Sequence, residues 1–399
     1  MLYHKWGIMR FSLKKVTLFL CCSLGLHACS MIDDYILGKD NTIQPKPLAE
    51  IQSKVRFQKL WTTSIGQPSR SHTYYKLKPV VVGKTIYTAD ASGKVSAVSA
   101  IDGKTIWSTP LKHHAISGPS VAHGYVIVGT DSGTLMALSQ TDGHVIWEKQ
   151  MSEDALSKSA ITPHAVITKT IDGHLYALDL ASGKQLWAVD HGSPNLVLKA
   201  SSSPKIMGNL VLVGYSDGKL DAVDLETGRM VWQRSIAYAN GASDVERLVD
   251  IDADPIIRKN LVYLASYQGY IGALNLEDGQ FVWSKRASVY KNMAVDRDTL
   301  YVTDSHDVIW AYGLQSGQIK WKQMALRGYG VTEPILIGSR LLLADKTGQL
   351  HALSTSTGEF TGRETIGSAV YISPAQFEDK MIVMLANGEL QAFQIAAKS

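Results

Sequence analysis

From residue 55 onward the chain is built of short apolar runs that alternate with polar positions, each bounded by a turn dipeptide ending in glycine. The stretches "SGTLMALSQTDGHVIW" (132–147) and "DGHLYALDLASGKQLW" (172–187) carry one order of signals: a Gly turn, an alternating run with Ala near its end, a second Gly turn, and a Trp. Gly supplies the positive φ that tight turns need, so each phrase predicts two strands joined by a hairpin. The Ala recurs at Ala97, Ala137, Ala177, Ala222, Ala273, Ala311, Ala352 and Ala392, which makes eight copies. Ten residues after each of the first six stand Trp107, Trp147, Trp187, Trp232, Trp283 and Trp321, whereas the seventh copy has Gly362 in that place. The eighth ends too soon for a Trp, but Trp61 in "VRFQKLW" (55–61) supplies a spare strand that completes it.

Gly93, Gly133, Gly173, Gly218, Gly269, Gly348 and Gly388 hold the first turn, and only the sixth copy departs, with Asp307. Apolar runs such as "VLVGY" (211–215) and "VYLAS" (262–266) precede these turns and predict buried strands. Each unit is then a four-stranded antiparallel sheet of roughly 40 residues, and repeats of that period form closed or stacked arrays. A spare N-terminal strand that completes the last unit selects closure: an all-β, eight-bladed β-propeller, which leaves few sheet edges free. The repeated phrase therefore builds a scaffold, with the small Ala letting blades approach and the Trp filling the gap between them. Function is to be sought where the repeat is broken.

Every Ala-to-Trp step is ten residues, so all variation in length lies between a Trp and the next Ala. That interval is 28 to 31 residues in most units but 36 after Trp61, 35 after Trp187 and 41 after Trp232. The two internal expansions occupy the same connection in consecutive blades, which places them side by side on one face. The first, "PNLVLKASSSP" (194–204), offers Leu196 and Leu198 at alternate positions, on one side of an extended segment, followed by Lys199. The second, "GASDVERLVDIDADP" (241–255), carries Asp244, Glu246, Asp250, Asp252 and Asp254 with the single Arg247. An apolar pair beside an acidic cluster predicts a protein-binding anchor with a charged rim.

The first 29 residues change the picture of charge. They hold Lys5, Arg10, Lys14 and Lys15 and no acid, so the formal +4 of the whole chain belongs to them and the remainder balances 36 basic against 36 acidic residues. A neutral body argues against nucleic acid as a partner. The basic start, the apolar run Val16 to Leu26 and the ending "LHAC" at Cys29 read as a targeting segment too short to span a bilayer. The three cysteines are Cys21, Cys22 and Cys29, so nothing beyond residue 29 can form a disulfide, a thiolate zinc site or a catalytic thiol. "DIDADP" opens like a calcium loop, but Pro255 stands where Gly is needed and Leu261 where the closing Glu would be, so no metal site is expected. The adjacent His113 and His114 have no nearby partner, and no nucleophile elbow or phosphate loop is present.

Three resemblances can be placed on these residues. The segment ending at Cys29 resembles a bacterial lipobox, which implies a signal peptide of residues 1–28, lipidation of Cys29 and, with Ser30 after it, sorting to the outer membrane facing the periplasm. Several acyl chains, each adding about 0.8 kcal/mol per buried methylene, would hold such an anchor firmly. Residues 30–54 then suit a flexible tether with a span of roughly 25 to 30 Å, ahead of a propeller over 55–399. The Ala, Gly-turn and Trp repeat resembles that of quinoprotein alcohol dehydrogenases, whose vicinal disulfide over the cofactor has no counterpart here beyond the signal segment, so neither enzyme activity nor a cofactor is expected.

The two expanded stretches, together with the lipobox and the eight units in register, resemble the BamB family of lipoproteins of the outer-membrane β-barrel assembly machinery. That resemblance implies a non-enzymatic scaffold binding the POTRA domains of the central barrel subunit BamA, with other lipoproteins joined through the complex. It places partner contacts on Leu196, Leu198, Lys199, Asp250 and Asp252, beside which we set Arg247. Where the family has Arg, Lys199 lacks the bidentate fork. The disc would orient the insertase or bring unfolded client chains near it.

Overall fold

The computed structural model describes residues 43–66, 76–192, 202–238 and 248–398. Eight four-stranded antiparallel sheets follow one another around a ring, and no helix occurs among the described residues. Blade 1 consists of Val80–Val82, Thr85–Ala89, Lys94–Ser99 and Thr105–Pro110, running from the inner edge to the outer. Blades 2 to 7 repeat this order over 115–150, 160–190, 205–235, 256–287, 294–323 and 335–365. Blade 8 takes three strands from the C-terminus, Ala375–Phe377, Lys380–Met384 and Glu389–Ala397, and its outer strand Val55–Ser64 from the N-terminal side. The register of that closing pair runs from Val55 opposite Ala397 to Ser64 opposite Glu389.

The ten-residue spacing has a direct geometric meaning. Ala97, Ala137, Ala177, Ala222, Ala273 and Ala311 lie opposite Trp107, Trp147, Trp187, Trp232, Trp283 and Trp321 across the third and fourth strands, and Ala392 lies opposite Trp61. Each Trp then reaches into the following blade, where its indole N–H donates to a turn carbonyl. Trp107 bonds Gln140 O (3.1 Å), Trp147 Leu180 O (2.8 Å), Trp187 Leu225 O (3.0 Å) and Trp232 Leu276 O (3.0 Å). Trp283 bonds Leu314 O (3.0 Å), Trp321 Thr355 O (2.8 Å), and Trp61 crosses from blade 8 to Ala100 O of blade 1 (3.3 Å). The second-turn glycine of the next blade lies under the ring: a Cβ on Gly183 would stand 2.8 Å from Trp147. Seven of the eight junctions share this staple.

The eighth junction explains Gly362. It lies opposite Ala352 as expected, but a Cβ there would come within 2.4 Å of the Val55 side chain, because the N-terminal strand packs into the space a Trp fills elsewhere. Val55 and Phe57 join the core of Ile335, Leu342 and Phe393 between blades 7 and 8, and Lys54 N–H donates to Thr361 O (2.7 Å). Asp307 adopts φ 64° in place of a first-turn Gly and uses its carboxylate to hold Lys291 (2.5 Å) and the Gly330 amide (2.7 Å), and in blade 5 the left-handed turn residue is Gln268 (φ 50°) rather than the expected Gly269, which begins the strand.

Residues 45–54, expected to form part of a tether, contact the propeller instead. Residues 45 onward belong to the propeller unit: Lys46 O accepts from the Tyr329 hydroxyl (2.9 Å), Ala49 O from Arg363 (3.1 Å), and Leu48 packs on the core around Trp321. These backbone carbonyls find side-chain partners on blade 7 and its preceding connection, so the segment is docked on the ring while Lys46, Pro47, Ala49 and Glu50 stay exposed.

Candidate functional site

Each inner strand starts at the ring's centre, and the residue before it is Pro in five blades, Pro79, Pro204, Pro255, Pro334 and Pro374, while in blade 2 the equivalent Pro119 lies within the longer inner strand Ala115–Ala122. A Pro suits the first residue of a strand whose N–H has no ladder partner. One residue earlier stands a ring of eight equivalent positions, Lys78, Gly118, Lys158, Ser203, Asp254, Asn292, Glu333 and Ser373. Inner strands of blades 1 and 2, 2 and 3, 6 and 7, and 7 and 8 touch here, and the last meets the first. The centre is thus a charged assembly supplied by connections far apart in sequence.

Its ion pairs cross the ring. Lys78 is paired with Glu333, and Lys158 donates to Lys78 O (2.8 Å). Burial and then the neighbouring Lys78 charge push the Lys158 ammonium down to about 7, although part of its surface stays in solvent and softens that effect. Lys76 donates to Asp252 O (2.7 Å) and pairs with the Asp254 carboxylate (3.3 Å). Asp254 also accepts from Ser203 N–H (2.7 Å) and faces Lys205 (3.6 Å), while its own amide donates to Asn292 Oδ1 (2.6 Å). Burial alone would raise Asp254, but Lys76, Lys205 and the Ser203 hydrogen bonds outweigh it and hold the carboxyl below the usual carboxylate range.

A second chain of contacts leads outward from the same place. Burial pushes Asp252 up to about 6, partly offset by Lys76 and Lys169. Lys169, 4% exposed, donates to Gly214 O and lies 5.1 Å above the Tyr215 ring; burial lowers it to about 8. Tyr215 stacks in parallel on His191, with centroids 3.7 Å apart. His191 bonds Asp221 (2.7 Å) and Asp217 (3.1 Å) through its two ring nitrogens. Burial opposes its charge, yet the two carboxylates raise it to about 9.

Leu196, Leu198, Lys199 and Arg247 lie outside the described residues, as do Cys29, Asp244 and Glu246. Asp250 and Asp252 do not form the charged rim expected of them. Both are 0% exposed, because residues 248–254 run into the centre of the ring with Val249, Ile251 and Ala253 also buried. Their counter-charges, Lys76 and Lys169, are too distant in sequence for the acidic run to have revealed them. The roots of the two expanded connections do lie together, as their placement predicted: Ser202 N–H donates to Ile251 O (3.3 Å) next to the Ser203–Asp254 bond. Asp250 O accepts from Tyr267 N–H (2.8 Å), and Ile251 N–H donates to Tyr215 O (3.2 Å). At the ends of the second connection, Tyr238 (73% exposed), Val249, Tyr270 and Arg286 line a cleft of about 570 Å³.

Among the described residues, no group of three or more His, Cys, Asp or Glu could hold a metal ion. The buried acids face lysines, which favours fixing the connections over reacting with a ligand. The X-Pro dipeptides were the signal in the sequence that could have located this ring.

The family model described as outer membrane protein assembly factor BamB matches residues 58–164 and 91–323. Outer membrane protein assembly factor BamB of Legionella pneumophila (strain Paris) is 56% identical over 382 residues, 96% of this chain and 99% of that protein. Its counterpart in Pseudomonas aeruginosa is 38% identical over 377 residues, 94% and 97% of the two chains. Among solved structures, BamB from Moraxella catarrhalis superposes with a TM-score of 0.78 at 23% identity, covering 85% of this chain and 100% of that one. A quinohemoprotein alcohol dehydrogenase from Comamonas testosteroni reaches 0.70 at 13% identity over 87% and 77%, a likeness of fold alone. With eight four-stranded blades, and with relatives matching along nearly its whole length, the chain belongs to the BamB family of outer membrane protein assembly factors.

Proposed function

We propose that this protein is a non-enzymatic scaffold of outer-membrane β-barrel assembly, lipidated at Cys29, held at the periplasmic face of the outer membrane and binding the POTRA domains of BamA. Relatives named as outer membrane protein assembly factors support the role, and the loop chemistry supports the mode of binding. The observation that carries it is the pairing of loop roots at the centre of a rigid ring, Ser202 with Ile251 and Ser203 with Asp254. Two long connections held side by side present one composite surface, with Leu196 and Leu198 as the apolar anchor and Lys199 and Arg247 as its charges. Asp250 and Asp252, being buried, leave the contact set and serve to seat the second connection. Unfolded client chains and the other lipoproteins of the machinery would meet the disc through that complex.

The test is binding of the mature, lipidated chain in detergent to the soluble POTRA segment of BamA from the same organism. Leu196→Ala with Leu198→Ala is expected to weaken the complex by at least about tenfold, as loss of a buried anchor does. Binding by the double variant equal to that of the parent would remove the loops from the interface.

A further inference from the structure

The three intervals that exceed the common length, those after Trp61, Trp187 and Trp232, all end at one carboxylate. Lys76 arrives from the first, Ser203 and Lys205 from the second, and Asp254 itself closes the third. Lys76 is 178 residues from Asp254 and Ser203 is 51 away, so nothing local in the chain brings them together. Lys76 also bonds the Asp252 carbonyl, and its own carbonyl accepts from the Gly118 amide (3.1 Å), which ties the first connection to blades 2 and 5 at once. The side chains of Lys76 and Asp254 are each 16% exposed, too enclosed for water to replace either partner fully.

We propose that Asp254 is a positioning residue for partner binding: a single enclosed carboxylate ties the roots of all three long connections and so sets the spacing of the surface they present. This inference rests on the reading of the second and third connections as the partner-binding loops. Its physical basis is that a buried charged hub has one low-energy arrangement of its donors, whereas uncharged substitutes leave two ammonium groups facing each other. Lys76 and Lys205 would then repel across the place they now share, and the roots of the first and second connections would separate. The Asp252 carbonyl also accepts from Lys76, whereas the Asp254 carboxylate holds Lys76, Ser203 and Lys205 together.

The experiment measures the POTRA-segment Kd of the mature chain as parent, Asp254→Asn, Lys76→Met and the double variant, well below each melting midpoint. Asp254→Asn keeps the shape and the acceptor for Ser203 while removing the charge. A weakening of about tenfold in each single variant, with the double variant no worse than the weaker single, is the coupling expected of one shared knot. A merely structural contact would lower the midpoint and leave the Kd of the folded chain unchanged, and that result overturns the inference. Should Asp254→Asn fail to fold, Lys76→Met tests the same contact, with an unchanged Kd again overturning it. Failure of the parent chain itself to bind is a different outcome, and it overturns the reading of the loops on which the hub depends.

Discussion

Replacing Trp147 by Ala removes the staple between blades 2 and 3, and the structure allows its cost to be worked out. The side chain is 8% exposed, lies on Gly183 and donates to Leu180 O at 2.8 Å. A buried Trp hides about 150 to 250 Å² of surface, which at about 25 cal/mol per Å² corresponds to roughly 4 to 6 kcal/mol. Partial collapse of the cavity brings such substitutions to about 3 to 5 kcal/mol in practice. Trp147→Phe keeps most of the ring but leaves the Leu180 carbonyl without its donor, at about 1 to 2 kcal/mol. Urea unfolding followed by circular dichroism, with a second probe to check that the transitions coincide, should therefore rank parent, Phe and Ala in that order. An Ala variant within about 1 kcal/mol of the parent would refute the staple. A Phe variant as unstable as Ala would show that ring area is not what joins the blades.

Two other perturbations test features particular to this chain. Gly362→Ala should lower the melting midpoint, by about 1 to 3 kcal/mol of overpacking, because its Cβ meets Val55 at 2.4 Å; an unchanged midpoint would mean the N-terminal strand does not occupy that space. For His191, the folded value near 9 lies above the ordinary 6.5, so its contribution to stability is complete below about 6.5 and is lost as pH rises through about 9. The buried lysines have the opposite slope, so the informative quantity is the difference in midpoint between the parent and His191→Gln. That difference should shrink from pH 6 to pH 9.5, and a constant difference would show that the two carboxylates do not hold the ring protonated.

The blades were legible because their signals are local: a Gly turn, an alternating run and a Trp ten residues after an Ala all lie within one hairpin. Trp61 could be assigned to the last blade because the closing register only had to complete an existing pattern. Gly362 was visible as a departure but not as a consequence of Val55, whose contact with it spans the whole ring. The same distance hid the centre, where Lys76 and Lys169 turn an acidic run that looked solvent-facing into an enclosed one. The docking of Lys46 and Ala49 on Tyr329 and Arg363 involves carbonyls, which leave no trace in side-chain patterning.

Pairing of Val55–Ser64 with Glu389–Ala397 also fixes the order in which the protein can be finished. A chain made from its N-terminus delivers the closing strand first and its partner last, so the ring stays open, with that edge of the final blade uncovered, until nearly all of it has been synthesised. Bringing together ends about 340 residues apart costs about 5 kcal/mol of chain entropy beyond a constant, since that cost grows only with the logarithm of length. Ring closure is thus a late event in biogenesis.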